Sequence, residues 1–349
     1  MSESCTIADV ARAAGVSIGT VSHLLNGRAN RMTAQTRARV EAAIAQLGYR
    51  PSRAAQTLKT GRASLIGLLV PSITNPSYGA LARAVDDAAH DPYGYRMILG
   101  NTYRDPEQER SFLEDLLSHG ARGVIVMSSA TGGSAFAELA RRGLVAVSYD
   151  TRRIAANAGF VDHVAVDSVA AGRLATEHLC GFGHTRIALL TAPGRTISRD
   201  DKIAGFRAAC DAAGITQSCQ VLEGRGQSCH GDAELVELGR ELAGQVMRLA
   251  VRPTAAVAIN DMLAAGFMAG LRDRGIDVPA DISVIGMDDL FLGTLTVPQM
   301  TSIQYPVQQM SRVMVDRIMR RLAEPDLPLM EALYPPTLIS RASVGPPPG

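Results

Sequence analysis

Residues 6–27 read TIADVARAAGVSIGTVSHLLNG, and this stretch decides the fold of the N-terminal part of the chain. Its apolar residues recur at helical spacing in two short segments separated by a glycine. Thr6 stands before the first segment with Asp9 three positions later, which is the spacing of a capping box. Ser17 stands before the second segment, which predicts a helix over residues 18–25. Two short helices joined by a tight glycine-containing turn predict a helix-turn-helix motif.

A third helix is predicted between Thr33 and Gly48, because Val40, Ile44 and Leu47 follow helical spacing. In a helix-turn-helix, the second helix enters the major groove of DNA with its N-terminal end first. An ordinary small helical bundle shows the same periodicity, so the motif alone leaves both interpretations open. The distribution of charge is the independent observation that favours DNA binding.

Basic residues are concentrated at the N-terminus. Residues 1–62 carry nine basic and three acidic side chains, a net charge of +6, whereas the rest of the chain carries a net charge of −5. This asymmetry indicates a polyanionic partner, bound with the salt dependence of counterion release. No apolar run reaches the roughly 18 residues of a membrane span, and the N-terminus lacks the features of a signal peptide. We therefore expect a cytoplasmic protein.

Motifs of enzymes and metal sites are missing from the sequence. The five cysteines are scattered, without a CxxC pair or a histidine at metal-ligand spacing, so we expect reduced thiols and neither a metal nor a cofactor. No GxGxxG follows the first predicted strand, no GxxxxGK[ST] occurs, and the seven histidines form no nucleophile–base set. The sequence therefore disfavours an enzyme.

From Ser64 onward, short β-rich segments alternate with amphipathic helical ones, which predicts doubly wound parallel sheets. The predicted strands are Leu65–Val70, Arg96–Leu99, Val124–Met127, Val145–Tyr149, Val164–Val166, Ile187–Leu190, Gln220–Leu222, Ala256–Ile259 and Ser283–Ile285. The predicted helices include Tyr78–His90, Pro106–His119, Val169–Cys180 and Met262–Arg274. Nine strands suit two subdomains better than one sheet.

Ligands of such sheets bind outside the carboxyl ends of the strands. Many residues that follow the predicted strands carry carboxylates, amides or hydroxyls. These residues are 72–78, Asn101, 128–129, Asp150, Asp167, 260–261 and 288–289. A single Asp or Asn at such a place also suits a helix cap, so capping and ligand binding stay open for each of them. The collective pattern favours a site for a polyol or another polar metabolite.

Two long segments carry a resemblance to a known family. Residues 6–27 and residues 36–58, TRARVEAAIAQLGYRPSRAAQTL, resemble the headpiece of LacI/GalR family transcriptional regulators. The resemblance continues in the segments SLIGLLVPSITNPSY, RGVIVMSS, GFGHTRIALL, IAGFRAA, NDMLAAG, GIDVPADISVIGMDD and TSIQYP. It implies an α/β protein with a small all-α helix-turn-helix headpiece and a periplasmic-binding-protein-like effector domain of two doubly wound parallel-sheet subdomains.

The resemblance also implies domain boundaries. The headpiece is expected over residues 1–50, a hinge helix or linker over 51–63, the effector-binding and dimerisation domain over 64–340, and a disordered tail over 341–349. The N-subdomain is expected at about 64–162 and 292–322, and the C-subdomain at about 163–291 and 323–340. The tail lacks the leucine heptads of a tetramerising helix, so we expect a homodimer.

The resemblance assigns DNA contacts to the headpiece and the hinge. Those that read bases would be Ile18, Gly19 and His23, with Arg28 assisting, and those that hold phosphates would be Thr6, Ser17, Thr20, Ser22 and Asn26. Gly19 has no side chain, so it offers no side-chain contact that could read a base. In the hinge, Ala55 would face the minor groove and Leu58 would wedge between base steps. A flexible linker is the alternative for this segment.

By position in the family, the effector cleft would be lined by Asn75, Tyr78, Asp150, Ser198, Lys202, Asn260 and Asp288. Relatives have arginine at the position of Lys202, and a lysine there, in a chain with two lysines, favours a carboxylate or phosphate on the ligand. The implied function is a repressor that binds a near-palindromic operator as a homodimer and responds to a sugar, a sugar acid or a similar metabolite. A transport-type binding protein is the remaining alternative, which the basic headpiece disfavours.

Overall fold

The structure is a computed structural model that describes residues 5–25, 32–49, 63–127, 133–149, 161–194, 196–225 and 233–349. The chain divides into two compact units, Met1–Ala63 and Ser64–Gly349, each with its own apolar core. No helix in the described ranges is both long and apolar enough to cross a bilayer.

The first unit is a bundle of three helices. They are α1 (Ile7–Ala14), α2 (Ile18–Leu25) and α3 (Ala34–Leu47), as the spacing of apolar residues predicts. Its core contains one fully buried valine from each helix, namely Val10, Val21 and Val40. The capping box is present, because Thr6 and Asp9 exchange backbone and side-chain hydrogen bonds at the start of α1.

The turn between α1 and α2 is fixed from both sides. Gly15 ends α1 with a φ of +61°, a left-handed conformation that favours glycine. Arg39 of α3 donates from Nη2 to the carbonyl oxygens of Ala14, at 2.8 Å, and of Gly15, at 3.1 Å. The third helix therefore holds the relative orientation of the first two.

The second unit contains two six-stranded sheets. The first comprises β1 (Leu65–Val70), β2 (Arg96–Asn101), β3 (Gly123–Met127), β4 (Val145–Tyr149), β5 (Val161–Val166) and β11 (Glu331–Tyr334), in the order β11-β5-β4-β3-β1-β2. The second comprises β6 (Ile187–Thr191), β7 (Gln220–Glu223), β8 (Ala255–Ala258), β9 (Ser283–Met287), β10 (Thr301–Gln304) and β12 (Thr337–Ile339), in the order β12-β10-β9-β8-β6-β7. All pairs are parallel except β10 with β12.

Helices cover the sheets, and we call each sheet with its helices a lobe. The N-lobe has the first sheet with α4 (Pro76–Tyr93), α5 (Pro106–Ser118), α6 (Gly133–Arg141) and α11 (Val307–Ala323). The C-lobe has the second sheet with α7 (Ser168–Gly181), α8 (Ile197–Ala212), α9 (Ala233–Met247) and α10 (Asp261–Arg272). In β1, Leu68 and Leu69 are both buried but belong to different apolar clusters, so both faces of the first sheet are covered.

The chain crosses between the lobes three times, after Val166, between Gln304 and Val307, and between Tyr334 and Thr337. These crossings differ from the subdomain boundaries that the sequence analysis expects. Strand β10, expected in the N-subdomain, pairs in the C-lobe, whereas β11 and the second half of β5, expected in the C-subdomain, pair in the N-lobe. The boundary expected at residue 162 falls inside β5, whose pairing with β4 and β11 continues beyond it.

The tail expected to be disordered over 341–349 is ordered against the C-lobe, so this expectation is corrected. Ser343 is fully buried, and its hydroxyl donates to the carbonyl oxygen of Val284 at 2.6 Å. The Nε2 atom of buried His184 lies 2.9 Å from the carbonyl oxygen of Gly345. These partners come from the C-lobe sheet and the turn before it, so the composition of the tail gives no sign of them.

Candidate functional sites

Most of the predicted DNA contacts in and before α2 are exposed. Ser17, which precedes the helix, and Ile18, Gly19 and His23 within it are exposed, while Thr20 and Ser22 are half-buried. Ile18 is 52% exposed although its side chain is apolar. An exposed isoleucine at the leading end of a recognition helix suits an apolar contact with a partner.

Two backbone features shape this end of α2. The hydroxyl of Ser17 accepts a hydrogen bond from the amide of Thr20 at 3.1 Å, which caps the helix. A Cβ at Gly19 would meet no atom closer than 3.6 Å, so packing within the headpiece does not require glycine there. The predicted contacts Asn26, Arg28, Ala55 and Leu58 lie outside the described residues.

A cavity of about 300 Å³ lies between the two lobes. It brings together six of the seven predicted effector residues: Asn75, Tyr78, Ser198, Lys202, Asn260 and Asp288. The seventh, Asp150, lies outside the described residues. The residues lie far apart in sequence. The strand-end rule for parallel sheets accounts for Asn75, Tyr78, Asn260 and Asp288, whereas Ser198 and Lys202 lie in α8 and are expected from the family resemblance.

Three helices begin at the cavity, and their caps line it. The N-cap residues of α4, α8 and α10 are Asn75, Thr196 and Asn260. Each side-chain oxygen accepts from a backbone amide of its own helix at 2.9–3.2 Å. The capping interpretation of the strand-end amides is therefore confirmed for Asn75 and Asn260, and both residues also line the cavity. The helix N-termini also bring partial positive charge to it.

Two loops that border the cavity have a strained backbone. The non-glycine residues with positive φ in the described ranges are Tyr103 (51°), Arg104 (58°), Asp288 (111°) and Asp289 (49°). Three of these four line the cavity: Arg104, Asp288 and Asp289. Such conformations cost of order 1–3 kcal/mol each and persist where the surroundings fix them, which is common at binding sites.

Lys202 is positioned by the close packing of α7 against α8 and by the contacts of its ammonium group. A Cβ at Gly172 of α7 would lie 2.0 Å from the carbonyl oxygen of Lys202, so glycine lets α7 approach α8 closely at this point. The Lys202 Nζ donates to the carbonyl oxygen of Ile259 at 3.1 Å and lies 5.6 Å from the centre of the Tyr305 ring. The ammonium group is thus held at the cavity wall.

The cavity also contains charged residues that the sequence analysis did not name. Arg104 and Arg199 both line it. Arg104 lies three residues beyond Asn101, the candidate named after β2, and Arg199 follows the predicted effector residue Ser198. Asp289 was named only as a strand-end candidate, and its carboxylate binds Arg341 at 2.6 Å. The loop after β2 contains Arg104, whereas Arg199 lies in the first turn of α8, beyond the loop after β6.

The two sites define a class of protein. A helix-turn-helix unit is joined in one chain to a two-lobed α/β unit with an interlobe cavity, which is the architecture of a ligand-responsive DNA-binding regulator. No group of three or more His, Cys, Asp or Glu side chains able to hold a metal occurs among the residues the structure describes.

Comparisons with known proteins assign the family. Residues 6–52 match the family "Bacterial regulatory proteins, lacI family", and residues 176–344 match "Periplasmic binding protein-like domain". The chain belongs to the lacI family of bacterial transcriptional regulators, and its relatives are regulators rather than enzymes. The resemblance and the fold class predicted from the sequence are thereby confirmed.

Individual relatives match over nearly the whole chain. The ribose operon repressor of Escherichia coli (strain K12) is 33% identical, covering 97% of this chain and 99% of that protein. The structure of the lac repressor dimer bound to operator and the anti-inducer ONPF has a TM-score of 0.83 at 26% identity, covering 98% of this chain and 100% of that one. A lacI-family regulator from Enterococcus faecium with bound ribose has a TM-score of 0.72 at 28% identity, covering 81% and 99%.

Proposed function

We propose that this regulator is a cytoplasmic repressor that binds a near-palindromic operator as a homodimer and whose DNA affinity is set by a small polar metabolite in the interlobe cavity. One observation carries the proposal. A segment with a net charge of +6 presents an exposed recognition helix, and the same chain contains a cavity lined by polar and charged side chains. The lac repressor dimer on its operator supports it by similarity.

The chemistry of α2 suits a duplex. The hydroxyls of Thr6, Ser17 and Thr20 lie at helix N-termini, where phosphate oxygens bind well, and Ser22 would add a hydroxyl one turn further along α2. Ile18, Gly19 and His23 would meet base edges, with the Ile18 side chain against a thymine methyl. Asn26 and Arg28 would add contacts to one or the other strand of the DNA. Ala55 and Leu58 would occupy the minor groove once the hinge meets DNA.

The cavity suits a polyhydroxy ligand. Asn75 and Asn260 use their side-chain oxygens as caps, so their Nδ2 groups remain donors toward a ligand. Ser198 adds a hydroxyl, Asp288 adds a carboxylate that accepts from ligand hydroxyls, and Lys202 adds a cation. Asp150 and Tyr78 would complete the lining. A ligand that satisfies donors and acceptors of this kind carries several hydroxyls.

A homodimer is favoured by exposed apolar side chains of the C-lobe. Leu295 is 69% exposed and Val297 is 85% exposed, within one segment that follows the cavity loop. Large apolar residues close together at a surface mark an interaction site more often than a solvated one. A second copy of the chain is the partner that a two-fold symmetric operator requires.

Effector binding would act on DNA through the lobes. A ligand that contacts both lobes favours the arrangement in which its contacts are made, and it can shift DNA affinity only by its differential affinity for the two arrangements. Such couplings are commonly about 1–3 kcal/mol. The expected readout is a change in operator affinity of about 5- to 150-fold on effector binding.

Selection of duplexes from a random pool with the full-length protein tests the proposal. We expect enrichment of a near-palindrome, loss of that enrichment in Ile18→Ala and His23→Ala, and a dimer in sedimentation velocity. Gln46→Ala, on the exposed face of α3, is the matched control and should select the same sequence. A monomer, or a protein that enriches no sequence at low ionic strength, would overturn the proposal and restore the transport-type alternative.

A further inference from the structure

We propose that Arg199 and Arg104 form an anion subsite in the interlobe cavity that binds the carboxylate or phosphoryl group of the effector. The inference deepens the proposed function and depends on it for its physiological meaning. Neither arginine is among the effector residues expected from the sequence, and both line the cavity.

The first line of evidence is the way in which the Arg199 guanidinium is held. Its Nη1 group donates to the carbonyl oxygens of Ala192 at 3.0 Å and Pro193 at 2.7 Å, and also to that of Gly194. Its Nε atom is buried and has no hydrogen-bond partner. One nitrogen therefore anchors the group to the loop before α8, and Nε is left unsatisfied.

An unsatisfied guanidinium edge has a specific chemical complement. The Nε and Nη2 atoms of arginine form a planar fork that matches the two oxygens of a carboxylate or a phosphoryl group. A buried N–H without a partner costs free energy until a ligand accepts from it. Because Nη1 is fixed by three backbone carbonyls, the fork has a defined direction before any ligand binds.

The second line of evidence is the excess of positive charge. Burial and the charge of Arg104 both lower the pKa of Arg199. Glu223 and Asp200 act in the opposite direction, but each has a smaller effect than burial or the charge of Arg104. Among the described residues, neither Arg199 nor Arg104 takes part in an ion pair. Two like charges held near each other in this way favour an anion between them.

The remaining charges of the described part of the lining leave this excess in place. Lys202 adds a third cation, and the carboxylates that line the cavity among the described residues are those of Asp288 and Asp289. The carboxylate of Asp289 already binds Arg341 at 2.6 Å and the side-chain amide of Gln304 at 2.8 Å. Its charge is thus balanced from outside the lining.

The third line of evidence is the backbone around the subsite. The N-terminus of α8 lies beside Arg199, with the hydroxyls of Thr196 and Ser198 3.4 Å apart at its first turn. A helix N-terminus adds partial positive charge and amide donors to an anion site. Arg104 is held by a left-handed backbone with a φ of 58° in the loop after β2.

Arginine side-chain NMR of the full chain tests the subsite without knowledge of the effector. Inorganic phosphate and acetate are the probes, with chloride at equal ionic strength as the reference. We expect one of them to produce a saturating shift of the Arg199 Nε–H signal, which is assigned by its loss in Arg199→Lys. A response to phosphate alone indicates a phosphoryl ligand, and a response to acetate indicates a carboxylate.

Variants keep the test independent of folding. Arg104→Gln should weaken the probe affinity by about tenfold or more, since it removes one of two charges without touching the Arg199 anchor. Arg207→Gln, exposed on α8, is the matched control and should leave the affinity unchanged. An Arg199 signal that moves no more than in chloride, or an unchanged affinity in Arg104→Gln, overturns the subsite.

The result is distinguishable from a failure of the proposed function. Arg104→Gln should enrich the same operator as the parent protein when no effector is present. Intact operator selection without anion binding overturns only the subsite. Anion binding at Arg199 without any operator selection overturns only the proposed function.

Discussion

The hydroxyl of Ser302 donates a 2.6 Å hydrogen bond to Oδ1 of Asp261, a carboxylate that is 1% exposed. Ser302 belongs to β10, and Asp261 is the first residue of α10. The other carboxylate oxygen accepts from the amide of Leu290 at 2.7 Å, so the loop that carries Asp288 and Asp289 is tied to α10. A buried acidic group therefore supports one wall of the cavity.

This arrangement predicts a pH dependence of stability. Burial raises the pKa of Asp261 to about 7, against the lowering effect of its hydrogen bonds. The folded state then holds a proton that the unfolded state releases near pH 4, so the free energy of unfolding should fall as pH rises from about 4 to about 7 and level off above that. Thermal denaturation across this range measures the effect.

Asp261→Asn should remove this component, because the amide is neutral at every pH. The difference in melting temperature between the parent and Asp261→Asn should change with pH, in favour of Asn above pH 7. Asp326→Asn, at an exposed position, is the control and should follow the parent curve. Parallel curves for the parent and Asp261→Asn would show that the carboxylate is ionised throughout.

The ordered tail predicts a second effect on stability. Ser343 is fully buried, its hydroxyl accepts from the amide of Thr301 at 2.8 Å, and it donates to Val284. Ser343→Ala leaves that amide without a partner and should cost about 1–3 kcal/mol of unfolding free energy in urea. Ser118→Ala, whose hydroxyl bond is exposed, should cost much less. Equal losses in the two variants would contradict a structural role for the tail.

Gly19 predicts opposite effects on stability and on DNA binding. Alanine in an exposed helix is favoured over glycine by roughly 0.5–1 kcal/mol, and no atom blocks a Cβ here. Gly19→Ala should therefore stabilise the headpiece while it weakens operator binding, since the new methyl would separate the helix from the DNA. Gly79→Ala, an open helical position in the N-lobe, is the control that should stabilise without any change in operator affinity.

The position of Lys202 predicts that its substitution affects the response to effector but not DNA binding. Its ammonium group contacts only the cavity wall at Ile259 and Tyr305 in the described residues. Lys202→Ala should therefore abolish the change in operator affinity on effector binding, while operator affinity without effector stays within about twofold. Titration of operator DNA by fluorescence anisotropy measures both. Loss of operator binding in the absence of effector would instead make Lys202 a structural residue.

Much of the fold follows from local patterns. The nine predicted strands are all present. Most of them, such as Leu65–Val70 with five of its six residues buried, are buried parallel strands whose continuous apolar runs the sequence displays directly. The helices of the headpiece begin and end where Thr6, Gly15 and Gly48 predict. These signals are local, and tertiary contacts reinforce rather than override them.

Strands β10, β11 and β12 are not among the predicted strands, and the reason is physical. In β10, Thr301 and Ser302 are polar yet fully buried, because distant residues satisfy their hydrogen bonds. Strand β11 is an edge strand with alternating exposure, so it lacks a continuous apolar run. The ordered tail has the same cause, since the partners of Ser343 lie 42 and 59 residues away in sequence.

The effector residues show what strand-end reasoning and the family resemblance each reach. The rule that parallel strands end at one edge predicts Asn75, Tyr78, Asn260 and Asp288, whereas Ser198 and Lys202 lie in α8 and are expected from the resemblance alone. All six line one cavity. Arg104 and Arg199 were missed because their position depends on left-handed backbone and on carbonyl contacts within loops. Such details have no periodic signature in the sequence.

The three crossings between the lobes limit how this gene can be rearranged. Each lobe is assembled from separate stretches of chain, and neither the first nor the second half of the effector unit encodes a complete sheet. A truncation after Val166 or after Gln304 therefore removes strands from both lobes, and a truncation after Tyr334 removes β12 from the C-lobe. Exchange of one lobe with a relative would need three simultaneous junctions, so new ligand preferences are more accessible by point substitution than by recombination.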